Sequence, residues 1–189
     1  GQDGFKPIVT MWFIAFALVP GFFLPIEQET SRALAHRRAL GQGGLPIIKR
    51  IIPLAAVILG GLLIALALAA RSATDNLFET NSAVTMALLF MLLTYAPMHI
   101  ARGLSSGQGK FSNYALIIGL DGTIRVGVCA ALWLGGVDNT GIFAVAVGLS
   151  PIVGVIIVAL RGDLRLTDGP PASWSEITPN LGWLLLGSL

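Results

Sequence analysis

Long apolar runs separated by short polar segments dominate the pattern of this chain. A bilayer core about 30 Å thick needs about 20 mostly apolar helical residues to cross it. Five stretches meet that requirement, at about residues 8–25, 51–70, 83–101, 114–135 and 142–160. A further apolar run starts at residue 181 and continues to residue 189. The pattern predicts an all-α, polytopic transmembrane helical bundle with five full spans and a partial sixth.

The composition supports a membrane environment. Of the 189 residues 54% are hydrophobic, and the mean hydropathy is +0.80. Only 12% are charged, about half the roughly 25% typical of soluble domains. One globular core cannot hide so much apolar surface, which excludes a soluble domain and a disordered chain. The single cysteine, Cys129, excludes an internal disulfide framework.

The positions of the basic residues predict the orientation of the spans. Nine of the twelve Lys and Arg residues lie in segments 26–50, 102–113 and 161–180, which alternate with segments that hold only Lys6 and Arg71. Basic loops usually face the cytoplasm, so we expect a multi-pass protein of the inner (plasma) membrane that contacts membrane lipids. The basic residues form no block with interleaved aromatics, so we expect no nucleic-acid partner.

The same orientation puts residue 1 outside the cell, although no earlier span or signal peptide delivers it there. The last apolar run, residues 181–189, is about half a span long. We therefore expect the chain to be part of a longer polytopic protein.

The fourth predicted span carries an acidic and a basic residue, Asp121 and Arg125. Both lie within roughly 6 Å of the bilayer midplane, and their i, i+4 spacing puts them on one helix face. One interpretation is an internal ion pair that stabilises helix packing. In the other interpretation, Arg125 binds an anionic group in a water-filled cavity. Asp121 then either holds Arg125 in place or exchanges a proton or Na⁺. Three nearby glycines fit close helix contacts or a polar cavity: Gly119, Gly122 and Gly127.

Other polar residues lie near the predicted cytoplasmic ends of the spans. His99 lies near the membrane interface, where we expect it to be solvated or packed against other side chains. A role in a proton relay is the alternative. Glu27 and Glu29 suit surface pairing with Arg32. We expect residues 27–39 to form a cytoplasmic loop helix and residues 103–113 a tight turn. Three prolines within the spans predict packing kinks or, alternatively, hinges: Pro20, Pro97 and Pro151.

Motifs for enzyme chemistry are absent from the sequence. It has no metal-ligand cluster, no P-loop and no G-x-S-x-G turn, so we expect no cofactor, no metal and no catalytic residue. Asp121-Gly-x-x-Arg125 resembles the start of the CDP-alcohol phosphatidyltransferase motif. The alanine before the arginine and the further aspartates at helix spacing are missing, so that metal site cannot form. Transport is therefore favoured over catalysis.

Two segments resemble polysaccharide flippases of the multidrug/oligosaccharidyl-lipid/polysaccharide exporter superfamily. Residues 23–35 (FLPIEQETSRALA) are similar to the end of the second helix in that family. Residues 101–114 (ARGLSSGQGKFSNY) are similar to its glycine-rich turn between the fourth and fifth helices. In the family the helix that follows this turn bears an arginine. Here the predicted span after the turn bears Arg125.

The resemblance implies a transporter of about 12–14 helices in two lobes, with alternating access to the two faces of the membrane. Residues 1–180 would be part of the N-terminal lobe, and residues 181–189 would begin the next span. The substrate would be a lipid-linked oligosaccharide, with Arg125, Asp121 and, at the cytoplasmic mouth, Arg32 as binding residues and H⁺ or Na⁺ as a possible coupling ion. A membrane-embedded glycan or lipid transferase and a multidrug cation antiporter stay open as alternatives.

Overall fold

The computed structural model describes residues 5–188, and within them the chain is helical without strands. Five helices are long and apolar enough to cross a membrane, which confirms the predicted number of spans and the membrane-compatible all-α bundle. A short 3₁₀ turn and an eleven-residue helix follow them. The elements are α1 (Lys6–Ala39), α2 (Leu45–Asn76), α3 (Ser82–Gly107), α4 (Phe111–Leu134), α5 (Thr140–Leu160), the 3₁₀ turn (Trp174–Glu176) and α6 (Thr178–Ser188).

Local sequence signals set the helix ends. The side chains of Asn81 and Asn139 accept backbone N–H bonds and so cap the starts of α3 and α5. Gly41 and Gly109 follow α1 and α3 with φ of +68° and +75°, a left-handed conformation that glycine adopts at little cost. These glycines end α1 and α3 and let the chain reverse within a few residues.

Two of the predicted cytoplasmic segments differ from expectation. Residues 27–39 do not form a separate loop helix, because α1 continues without a break to Ala39. The predicted turn at 103–113 is shorter, since α3 extends to Gly107 and α4 begins at Phe111. The helices also continue through the internal prolines, including Pro97 and Pro151. The polar ends of α1, α3 and α4 therefore belong to the helical bundle itself.

Helix α3 lies at the centre of the bundle, with α1 and α5 packed on it. Only 11% of the apolar stretch of α2 and 6% of that of α4 are buried. A Cβ at Gly119, Gly122 or Gly127 would meet nothing within 4 Å, so these glycines of α4 make no close helix contact. Large apolar faces of α2 and α4 are therefore open to lipid or to further protein.

A glycine on α3 permits a close approach to α1. A Cβ built at Gly103 would lie 2.7 Å from the Glu27 carbonyl oxygen and 3.0 Å from Thr30 Cβ. We predict that Gly103→Ala pushes α1 and α3 apart and lowers the free energy of unfolding by about 1–3 kcal/mol, measured by denaturant titration in detergent. Gly122→Ala, in open space, is the matched control, and equal effects of the two changes would contradict this packing.

The three basic segments meet at one end of the bundle, which we call the basic end. This agrees with their alternation along the chain with the segments that hold only Lys6 and Arg71. The amide of Leu45 donates to the carbonyl of Thr167, and Lys110 Nζ donates to the carbonyl of Asp163. Arg37 is buried and donates to both carboxylate oxygens of Glu176, at 2.8 and 3.1 Å. Residues 161–177, which we call the strap, are thus fixed across the ends of α1, α2 and α4.

The Glu176 contact predicts a dependence of stability on pH. Hydrogen bonds from the Arg37 guanidinium lower the pKa of Glu176 from 4.5 to about 2. Because the pKa is lowered by folding, the stabilisation is complete above the unfolded value and is lost as the pH falls towards about 2. Glu176→Gln should therefore lower the melting temperature at pH 7 but have little effect near pH 2, measured by thermal unfolding in detergent. An equal loss at both pH values would contradict this prediction.

Candidate functional site

Asp121 and Arg125 form an ion pair one turn apart on α4. Arg125 Nη2 lies 2.6 Å from each carboxylate oxygen of Asp121. Ser150 of α5 donates to Asp121 Oδ1 at 2.7 Å, and the hydroxyl of Tyr95 on α3 accepts from Arg125 Nη2 at 2.7 Å. The guanidinium also lies over the ring of Trp12 on α1, 4.3 Å from its centroid. Four helices therefore hold this charged pair in one position.

The ion pair borders a cavity of about 330 Å³ between α1, α3 and α4, which we call the central cavity. This volume is much larger than one water molecule needs. The side chains of Arg125 and Asp121 are 18% and 14% exposed, so they are held in place without being sealed off. The lining comprises Trp12, Ala15, Phe16, Val19, Pro20, Met91, Tyr95, Met98, His99, Arg102, Ile118, Asp121 and Arg125.

The structure thus combines an internal Asp121–Arg125 ion pair with open space beside it. Within the described residues, Arg125 makes its hydrogen bonds through Nε, to Ser150, and through Nη2. The Nη1 nitrogen therefore has donors left for a ligand in the cavity. The arrangement can offer an anion a charge-assisted contact without breaking the pair.

A second charged cluster lies closer to the basic end. Glu27 on α1 pairs with His99 on α3, with 2.7 Å between Oε2 and Nδ1. The other oxygen of Glu27 lies 3.0 Å from Arg102 Nη2, which also donates to the Tyr114 hydroxyl of α4. Both Glu27 and His99 are buried. The prediction of a surface role for Glu27 was wrong, because α1 presents this carboxylate to α3 rather than to solvent.

The sequence contained part of the signal for this cluster. His99 and Arg102 are three residues apart and so share one face of α3, the helix before the one that carries the central ion pair. Their acidic partner comes from another helix, 72 residues earlier, and nothing in the spacing identifies it. The sequence predicts that His99 is an interfacial residue, either solvated or packed. The structure shows that it is packed, because the histidine is buried and has a carboxylate partner.

Arg32 lies apart from the central cavity. Its predicted pairing with Glu29 is confirmed, at 2.5 Å between Nη2 and Oε1, but Glu29 is buried rather than at the surface. The same Arg32 nitrogen donates to the Glu176 carbonyl. Arg32 lines a different cavity of about 370 Å³ at the basic end, which we call the end cavity. Glu27 and Tyr114 also line it. The structure therefore brings Asp121 and Arg125 together but leaves Arg32 at the mouth of the bundle.

Metal and cofactor binding were not expected from the sequence. Within residues 5–188, no group of three or more His, Cys, Asp or Glu residues lies close enough together to hold a metal ion. Comparison of the chain with protein-family models, with curated proteins and with solved structures finds no match.

Proposed function

We propose that this chain belongs to a transporter that moves a lipid-linked oligosaccharide or polysaccharide precursor across the plasma membrane by alternating access. The observation that carries the proposal is the Arg125 guanidinium, held mid-span by Asp121 and facing the central cavity. A charge at that depth is costly and is typical of a substrate or ion pathway. In this proposal the protein is not an enzyme and needs no cofactor.

The chemistry of Arg125 suits a diphosphate head group. A guanidinium offers planar, bidentate hydrogen bonds to phosphate oxygens and does not lose its proton. Asp121 offsets the cost of keeping this charge in the membrane and competes with the ligand for it. The competition keeps binding of the anion reversible, which a transporter needs in order to release its substrate.

The surroundings of Arg125 also suit a lipid tail. The same residue lines a second, apolar groove of about 570 Å³ between α1 and α4. Its other lining residues include Ile8, Phe13, Val126 and Cys129. A head group in the central cavity and an isoprenoid chain in this groove would meet at the guanidinium. This juxtaposition of polar and apolar spaces favours a lipid-linked anion over a free, water-soluble one.

The two alternative functions fit the site less well. A cation antiporter needs acidic residues in its cavity, yet Asp121 is the one carboxylate that lines the central cavity within the described residues, and Arg125 neutralises it. A metal-dependent transferase needs several carboxylates at one site, and the described residues bring together no such group. The geometry therefore supports anion transport best.

Binding of farnesyl diphosphate to the chain in lipid nanodiscs tests the proposal, with the fluorescence of Trp12 beside Arg125 as the readout. We expect saturable binding that Arg125→Ala weakens about tenfold or more, the equivalent of one charge-assisted hydrogen bond. Arg71→Ala is the matched control, because Arg71 also pairs with an aspartate four residues away but is exposed at the far end of α2. Equal affinity of both variants, or no binding by the wild type, would overturn the proposal.

A further inference from the structure

The Glu27–His99 pair separates the two cavities. His99 lines the central cavity that Arg125 also lines, whereas Glu27 lines the end cavity at the basic end. The two side chains are buried and lie 2.7 Å apart. A single hydrogen bond therefore connects the Glu27 carboxylate, which a proton can reach from the end cavity, with the His99 ring, which borders the central cavity.

We propose that Glu27 and His99 form a proton-binding site coupled to anion binding in the central cavity. This inference rests on the proposed function, and it names the proton as the coupling ion. With Nδ1–H donated to Glu27, the other ring nitrogen, Nε2, accepts the additional proton. His99 then becomes a cation hydrogen-bonded to the carboxylate, and no other bond forms or breaks.

The charge balance of the cluster favours a proton over Na⁺. Glu27 is already bonded through both oxygens, to His99 and to Arg102. With a neutral ring the Glu27–Arg102 pair sums to zero, and Na⁺ would have to displace a guanidinium to reach the carboxylate. A proton needs no such rearrangement, because a lone pair on the ring accepts it directly.

The groups around His99 set the sign of the coupling. The charged or titratable side chains near it are contributed by α1 (Glu27), α3 (Tyr95 and Arg102) and α4 (Tyr114, Asp121 and Arg125). Helix α5 contributes no lining residue to the central cavity within the described part of the chain. Protonation of His99 adds one positive charge to a cavity wall that already includes Arg102 and Arg125. The cavity therefore becomes more attractive to an anion.

Coupling between two binding sites is reciprocal. If protonation of His99 strengthens anion binding, then anion binding must favour protonation of His99 by the same factor. The affinity for a diphosphate should therefore rise as the pH falls from 8 to 6. Each binding event should also take up a fraction of a proton from solution.

The experiment measures farnesyl diphosphate binding in nanodiscs at pH 6, 7 and 8, together with proton uptake in weakly buffered solution with a pH dye. We expect the wild-type affinity to rise about fivefold or more as the pH falls from 8 to 6. A factor of about five is the lower end of the usual range for two coupled binding sites. His99→Gln should bind with an affinity that does not rise as the pH falls. His36→Gln, at an exposed position on α1, is the matched control and should behave like wild type.

The outcomes separate the two proposals. No diphosphate binding at any pH would overturn the proposed function. Binding by the wild type with no rise at low pH and no proton uptake would overturn the proton site alone. A rise that persists in His99→Gln would also overturn it. The proton-uptake measurement uses the wild type, so its absence would overturn the proton site even if His99→Gln does not fold.

Discussion

Under the proposed function, replacing Arg125 with alanine is expected to abolish export of a lipid-linked glycan while the protein still inserts into the membrane. Of the two arginines that line the central cavity within the described residues, Arg102 and Arg125, the second lies near the middle of its helix, α4. A diphosphate at that depth in a bilayer would be furthest from bulk water. Without the Arg125 guanidinium, the head group would cross against its full desolvation cost. Export is measured as surface glycan in cells that depend on this protein, and insertion as its abundance in membranes.

Arg125→Lys and a charge exchange serve as controls. A lysine keeps the charge but loses the planar, bidentate donors, so we expect partial loss of export. The exchange Asp121→Arg with Arg125→Asp preserves an ion pair on the same face of α4 but moves the cation by one turn. If the pair only stabilises packing, the exchange should be tolerated and export should persist. Normal export in Arg125→Ala would show that this residue has a structural role only.

Replacing Glu27 with alanine is expected to cause the largest loss of stability. The change leaves Arg102 and His99 without their carboxylate in a buried position. Removing one partner of a buried ion pair costs about 3–5 kcal/mol, because the remaining charge loses its compensation. Arg102 Nε has no hydrogen bond even with Glu27 present, so the cluster has no spare acceptor for it within the described residues. The measurement is unfolding by denaturant in detergent.

Glu79→Ala is the matched control for this prediction. Glu79 is exposed in the loop between α2 and α3, at the end of the bundle opposite the basic end. We expect its replacement to change the free energy of unfolding by no more than about 0.5 kcal/mol. Glu27→Gln keeps the shape and one acceptor, so its effect should lie between the two. Equal stability of Glu27→Ala and Glu79→Ala would contradict the ion-paired cluster.

The sequence predicts those features that depend on local spacing. Apolar runs about 20 residues long identify the five spanning helices, and the i, i+4 spacing identifies the Asp121–Arg125 pair. Contacts made between helices are not encoded in any spacing. The hydrogen bonds that Arg125 donates to Tyr95 and that Ser150 donates to Asp121 depend on how α3 and α5 pack against α4.

Contacts between helices also explain why the prediction of a surface position for Glu27, near the basic end, was wrong. Glu27 looks solvent-exposed from the sequence because Pro25 precedes it and polar residues follow it. In the structure α1 stays helical through that proline, and Gly103 lets α3 approach closely enough to bury the carboxylate. The same continuous helix carries Arg32 to the basic end. Tertiary packing, which a single sequence does not reveal, decides the position of Glu27.

The most direct test is whether water and an anion reach the wall of the central cavity. In a Cys129→Ala background, Ile118→Cys places a thiol on that wall, and Leu68→Cys places one on the open apolar face of α2. A charged, membrane-impermeant thiosulfonate should label the first and not the second, because it reacts with thiolates in water. Farnesyl diphosphate should slow the labelling of Ile118→Cys. Absence of labelling there, or labelling that the diphosphate does not affect, would contradict a cavity in which Arg125 meets a passing anion.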